Sequence, residues 1–184
     1  GVHRIVIAHP LILRRAVREC MADYVEAVDA GPLPETLVSD TPLRQSHRNI
    51  YGVYPADLNT WELEFAEMID LDTTGQILWW HRNPPRKPWS IRICASGTEH
   101  DYYPDFVIGV RGRATPNGIL LVETKFAYNT KDSMAKVRAE HKAYKNVLML
   151  TRGDQNTWWT LQYDMVRQKV VEDRQFRPSM LAGF

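Results

Sequence analysis

Two apolar runs organise the chain. One extends from Tyr102 to Val110, the other from Gly118 to Lys125, and a Gly/Asn/Pro-rich turn from Gly112 to Gly118 joins them, a pattern that predicts a β-hairpin. Upstream, Trp61, Phe65, Met68 and Ile69 recur with a helical period after Asn59 or Thr60 as the N-cap, which predicts a helix over 61–70. Residues 76–82 and 89–95 read as strands, separated by a rigid proline-rich loop at 83–88 and followed by a turn at 96–100. Downstream, Met134, Val137, His141 and Tyr144 fall on one side of a helix capped by Thr130 or Asp132 and running to Tyr144 or Lys145. Strands follow at 147–150 and 158–163, with a turn at 153–156; 165–171 reads as helix and 174–184 as a tail. At the other end, 2–8 reads as a strand and 11–28 as an amphipathic helix. Residues 29–59, broken by Gly31, Pro32, Pro34, Pro42 and Pro55, read as connection, with His47 at the surface. The order predicts an α/β sandwich around a mixed sheet, with segment 1–55 as an N-terminal helix and linker before a domain at 56–184.

Composition alters this picture little. At 184 residues, 44% hydrophobic and 24% charged, the chain has room for one globular core. No apolar run approaches the roughly 18 residues of a membrane span, and no leader peptide is evident at the start. The two cysteines, Cys20 and Cys94, have neither metal-ligand spacing nor a disulfide framework, which fits a reducing cytoplasm. The absence of an initial Met suggests a processed or excised piece of a larger protein. The net charge of +1 is uninformative, but its distribution is not. Residues 75–98 lack Asp and Glu and contain Arg82, Arg86, Lys87 and Arg92, a basic stretch suited to a phosphate backbone or simply to solvent. Arg14, Arg15 and Arg18 read as the solvated face of their helix.

Within the two apolar runs the charged residues are Asp105, Glu123 and Lys125. Buried strands exclude such groups unless they are paired, bind metal or do chemistry. Alternation puts Glu123 and Lys125 on one face and Thr124 on the other, with Asp105 opening the neighbouring strand. Two carboxylates and the Thr124 carbonyl are suitable ligands for Mg²⁺, for which Mn²⁺ can substitute. Lys125 could then hold an attacking water, neutralise developing charge or serve as a base. The competing reading is a Glu123–Lys125 ion pair at a strand end. Glu62, early in its helix, has a bland reading too, as a partner of the helix dipole.

Tyr103-Pro-Asp-Phe-Val-Ile108 followed by Leu121-Val-Glu-Thr-Lys125 resembles the PD-(D/E)XK nuclease motif, and Trp61-Glu62 with Phe65-Ala66 resembles the first-helix glutamate pattern of that superfamily. The run Trp79-Trp-His-Arg-Asn-Pro84 resembles the C-terminal endonuclease domain of type III restriction enzyme subunits and DEAD/DEAH-box helicases, and the similarity covers residues 56–163. The resemblance implies a restriction-endonuclease-like core of order αβββαβ and a metal-dependent DNA endonuclease, the nuclease module of a larger restriction or defence helicase. It casts Asp105 and Glu123 as metal ligands, Lys125 as the catalytic lysine, Glu62 (or Glu64, if the register differs) as the first-helix acid, and Lys136, with His141 behind it, as the polar residue of the later helix. No Gly-x-x-x-x-Gly-Lys phosphate loop is present, so the ATP-driven partner would be another domain or subunit. His81, Arg82, Arg86, Lys87 and Lys136 are the candidate DNA contacts. The alternative is a catalytically silent nucleic-acid-binding or docking domain that uses the 81–92 segment with Trp79, Trp80 and Trp89. RNA is a third, weaker substrate option.

Overall fold

The computed structural model describes residues 31–93, 102–111, 118–128, 130–138, 140–141 and 145–183. The strand and helix expected at 2–8 and 11–28, and the turns at 96–100 and 112–117, lie outside the described residues. The chain folds as an α/β protein on one mixed six-stranded sheet with few helices. Short strands β1 (Leu43–Gln45) and β2 (Val53–Pro55) form a hairpin, and helix α1 follows at Thr60–Asp70. Strands β3 (Ile77–Arg82), β4 (Phe106–Val110) and β5 (Ile119–Thr124) come next, then helix α2 (Lys131–Arg138). Two-residue strands β6 (Glu140–His141) and β7 (Lys145–Asn146) lead to β8 (Leu148–Arg152), β9 (Trp158–Asp164) and β10 (Lys169–Phe176). The sheet order is β10-β9-β8-β5-β4-β3, with every neighbouring pair antiparallel except β5 and β8. No helix among the described residues is long and apolar enough to cross a membrane.

Period-two alternation distributes the strand side chains between two cores. Phe106, Ile108, Leu120, Val122, Leu150 and Trp158 pack with Phe65 and Ile69 of α1. Val107, Leu121, Met149, Leu161 and Val170 face the opposite way, toward Met134 and Val137 of α2. Every residue of β4 is therefore buried, as befits a strand covered on both faces. Gly109 is required by close approach: a Cβ there would lie 2.3 Å from the Trp79 indole.

α1 begins as the sequence predicts. The Asn59 side chain accepts hydrogen bonds from the N–H groups of Trp61 and Glu62, both at 3.0 Å, and the Glu62 carboxylate accepts the Asn59 N–H at 3.2 Å, closing a capping box.

Five expectations are corrected. Residues 29–59 are not plain connection: they carry the β1–β2 hairpin, and Arg48 to Ile50 pair with Trp80 along the outer edge of β3. That pairing covers an edge strand and joins part of the segment before residue 56 to the fold. Trp89 to Ile93 form no strand, because Asn83 substitutes for a strand neighbour. Its Oδ1 accepts the Ile91 N–H at 2.9 Å and its Nδ2 donates to the Ile91 carbonyl at 2.7 Å, leaving a single bridge from Ile93 to Tyr102. α2 ends at Arg138, before the β6–β7 pair, rather than at Tyr144 or Lys145. Finally, 165–171 is not helical and 174–183 is not a tail. Asp164 Oδ1 accepts the N–H groups of Val166 and Arg167, and Gln168 adopts φ 51°, which makes a turn between β9 and β10. Phe176 and Leu181, the latter in a 3₁₀ turn, are buried in the α1-side core.

Asp70 ties α1 to the sheet and to the preceding segment. Its carboxylate accepts from Ser46 Oγ, the N–H groups of His47 and Arg48, and Trp80 Nε1. Burial would raise its pKa, but these donors outweigh it and the net shift is downward. Asp70→Ala is expected to cost roughly 3 kcal/mol by leaving buried donors unmatched, measured by urea unfolding at pH 7. Because the folded-state pKa is depressed, the carboxylate's contribution is present above its ordinary pKa of 3.8 and lost as pH falls through the folded value. The gap between parent and variant should therefore narrow on acidification; a gap independent of pH would show that Asp70 is not held ionised by these donors.

Candidate active site

The site forms where β4 and β5 part. Val110 N–H donates to the Gly118 carbonyl, which fixes the alternation of the ladder, and Phe106 stands opposite Val122. Continued by one step, this register would set Pro104 against Thr124 as the next pair to exchange two hydrogen bonds. Proline has no N–H to give. The Pro104 carbonyl is also engaged, accepting from Asn83 Nδ2 at 2.9 Å. Thr124 turns to Asp105 instead: its N–H and its hydroxyl donate to Asp105 Oδ2 at 2.7 and 2.8 Å. Asn83 N–H holds the Asp105 carbonyl at 2.8 Å, so the Pro-Asp step is clamped from the β3 side.

Glu123 and Lys125 share a face as alternation requires, with Lys125 Nζ 3.1 Å from Glu123 Oε1. Lys136, from α2, brings its Nζ to 3.7 Å from the same oxygen and lies 4.8 Å over the Tyr102 ring. The expected ion pair thus exists, yet it accounts for one oxygen only. Glu123 is 5% exposed, and its Oε2 is buried without a hydrogen-bond partner among the described residues. Burial and the neighbouring Asp105 push the Glu123 pKa up to about 7, against the opposing pull of Lys125 and Lys136. Burial likewise raises Asp105, opposed by the two Thr124 hydrogen bonds and by Lys125 and Arg82.

Glu62 joins this cluster electrostatically. Burial, then Asp105, raise its pKa, while Arg82 and the bond from Asn59 lower it. Glu64 is engaged elsewhere, 2.7 Å from Arg152 Nε, so Glu62 is the helix acid that faces Asp105. Arg82 bridges Asp57 at 3.0 Å and Glu62 at 3.6 Å on the rim of the cluster.

Other expected contacts separate from it. His81 is buried edge-on against Tyr51, and burial lowers its pKa to about 4. It is a neutral packing residue, not a phosphate contact. Trp80 is fully buried and presents no stacking face, while Trp79 is half-buried and packs over Gly109. Arg86 and Lys87 are exposed on the loop after β3. His141 falls in β6, its side chain outside the described residues. Alternation expected Thr124 to face away; its hydroxyl nonetheless reaches Asp105, because Asp105 lies beyond the start of β4. Asn83 was also missed as a site-building residue: its Asn-Pro context signals a turn but not the partner that the side chain finds.

Among the described residues, no three His, Cys, Asp or Glu side chains form a ready cation cage. Hard divalent cations such as Mg²⁺ commonly take one or two carboxylates and complete their shell with water and substrate oxygens. Two adjacent carboxylates, one with an unpartnered buried oxygen, fit that donor set.

The raised pKa makes a stability prediction. Ionised Glu123 is penalised in the fold, so its contribution is favourable below its ordinary pKa of 4.5 and is lost as pH rises through about 7. In chelator, the parent should lose roughly 1–3 kcal/mol relative to Glu123→Gln between pH 5 and pH 8, read by urea denaturation. Parallel pH profiles would show that Glu123 is not held above its normal range. Comparison of the chain with protein-family models, with curated proteins and with solved structures finds no match.

Proposed function

We propose that the chain is a divalent-metal-dependent DNA endonuclease of the PD-(D/E)XK type, built on a restriction-endonuclease-like core. The observation that carries this reading is the convergence of Asp105, Glu123 and Lys125 at the parting of two central strands, with Glu123 Oε2 buried and unpartnered. Apart from the separate two-residue strands β6 and β7, the order α1-β3-β4-β5-α2-β8, three antiparallel strands and then one parallel to β5, matches the expected αβββαβ and supports the core assignment.

Asp105 and Glu123 would hold the Mg²⁺ or Mn²⁺, with the Thr124 carbonyl, to which Pro104 has no N–H to offer, and Glu62 as further oxygen donors. The bound cation supplies a water of lowered pKa and offsets charge on the phosphate. The chain's own groups do the rest. Thr124 orients Asp105 through two donors. Lys125 holds the attacking water and neutralises charge that develops on the phosphate. Lys136 adds a second ammonium on the same side, and Arg82 can exchange its carboxylate partners for a phosphate oxygen. Membership of a larger restriction or defence helicase rests on the sequence resemblance alone. The silent docking alternative is weaker than the sequence suggested, because His81 and Trp80, two of its proposed contacts, are buried.

The test is cleavage of single- and double-stranded DNA, and of RNA, in Mg²⁺, Mn²⁺ and chelator. Asp105→Ala and Lys125→Ala should each reduce metal-dependent cleavage by at least about 10²-fold, with circular dichroism unchanged. Either variant cutting like the parent would sink the assignment. Salt-sensitive binding with no cleavage of any substrate would favour the docking domain instead.

A further inference from the structure

Phe126 is the one aromatic residue among the exposed large hydrophobic side chains of the described residues, at 83% exposure. It directly follows Lys125. Its ring stands edge-on to Trp61, with centroids 5.3 Å apart and planes at 63°, and Trp61 directly precedes Glu62. An exposed phenyl ring is therefore supported by an indole between two site elements. The Trp61 indole is in turn braced by Trp158 at 6.1 Å.

Trp61 also lines a groove of about 570 Å³, together with Trp159, Thr157, Asp154, Arg152 and Glu172. The groove opens beyond the C-terminal ends of β5 and β8, the parallel pair, which is the end that carries Glu123 and Lys125. The Trp159 indole sits against the β8–β9 turn, where a Cβ on Gly153 would come within 2.7 Å of its Nε1. The charge of the groove does not suit a phosphate: Arg152 is paired with Glu64, and Asp154 and Glu172 are acids. A groove lined by aromatic and hydrogen-bonding side chains together suits the flat face and polar edge of a nucleobase.

We infer that Phe126 and Trp61, with the adjoining groove, form a stacking site for an unpaired nucleobase next to the phosphate to be cut. A base inside a duplex has its faces covered by its neighbours, so the preferred substrate is a single strand or a frayed end. This rests on the nuclease reading for the place of the phosphate, but its binding test does not need cleavage.

The test uses the full chain in chelator with fluorescein-labelled oligo-dT and a duplex of equal length. Phe126→Ala is a surface change and should weaken single-strand binding about tenfold while duplex binding stays within about twofold. Phe126→Trp should restore the single-strand affinity, and Phe126→Leu, apolar but unable to stack, should not. Parent-like single-strand binding by Phe126→Ala, an equal loss on duplex, or no single-strand binding by the parent overturns the inference. Lys125-dependent cleavage combined with binding indifferent to Phe126 would sink this inference alone. Phe126-dependent binding without cleavage of any substrate would sink the nuclease reading alone.

Discussion

Proline at position 104 cannot donate to the ladder between β4 and β5, and the geometry of the candidate site depends on that missing hydrogen bond. Where an ordinary residue would have continued the pairing, the strands separate, and the Thr124 N–H is left to find another acceptor. Asp105 supplies it, with the Thr124 hydroxyl as a second donor to the same oxygen. One carboxylate is thus fixed at the point where the sheet opens. Asn83 secures the same step from the other side, holding the carbonyls of Pro104 and Asp105. The break is therefore braced by hydrogen bonds to Asp105 and Pro104 from both neighbouring strands, rather than a frayed strand end.

Burial then sets the chemistry of what gathers at this break. Desolvation pushes Glu123, Asp105 and Glu62 toward the protonated form, Asp105 adds to this at Glu123 and at Glu62, and Lys125, Lys136 and Arg82 pull the other way. A fold selected for stability alone would gain by replacing such a set with apolar side chains, since buried ion pairs return little net free energy. Perturbed carboxylates grouped with cations are instead a mark of functional sites. Asp70 provides the contrast within the same molecule. It too is buried, but its donors overcompensate and lower its pKa, as befits a structural anchor.

Both layers of the sandwich contribute to the cluster. α1 supplies Glu62, which also closes the cap of its own helix, and α2 supplies Lys136 across the opposite face. The capping box therefore couples helix initiation to the placement of an acid. Thr130 does the corresponding work for α2, where its hydroxyl accepts the Ser133 N–H at 3.1 Å.

Much of this was legible in the chain because it depends on local rules. Period-two alternation put Glu123 and Lys125 on one face, the Asn59 cap started α1, and three charges within apolar strands marked the site. Tertiary structure decided what depends on distant partners. Residues 165–171 are apolar enough for a helix on periodicity, but the β9 edge, offering a full row of backbone partners, draws them into a hairpin. Residues 89–93 alternate like a strand, but the Asn83 side chain claims the backbone of Ile91. His81 sits in a basic run and would pass for a surface cation, yet Tyr51 and the sheet bury it as a neutral ring. Glu62 and Glu64 are near-equivalent in sequence, and only Arg152, some 90 residues away, separates their roles. Local pattern fixes which way a side chain points along its own element; which group it meets there depends on how remote segments pack.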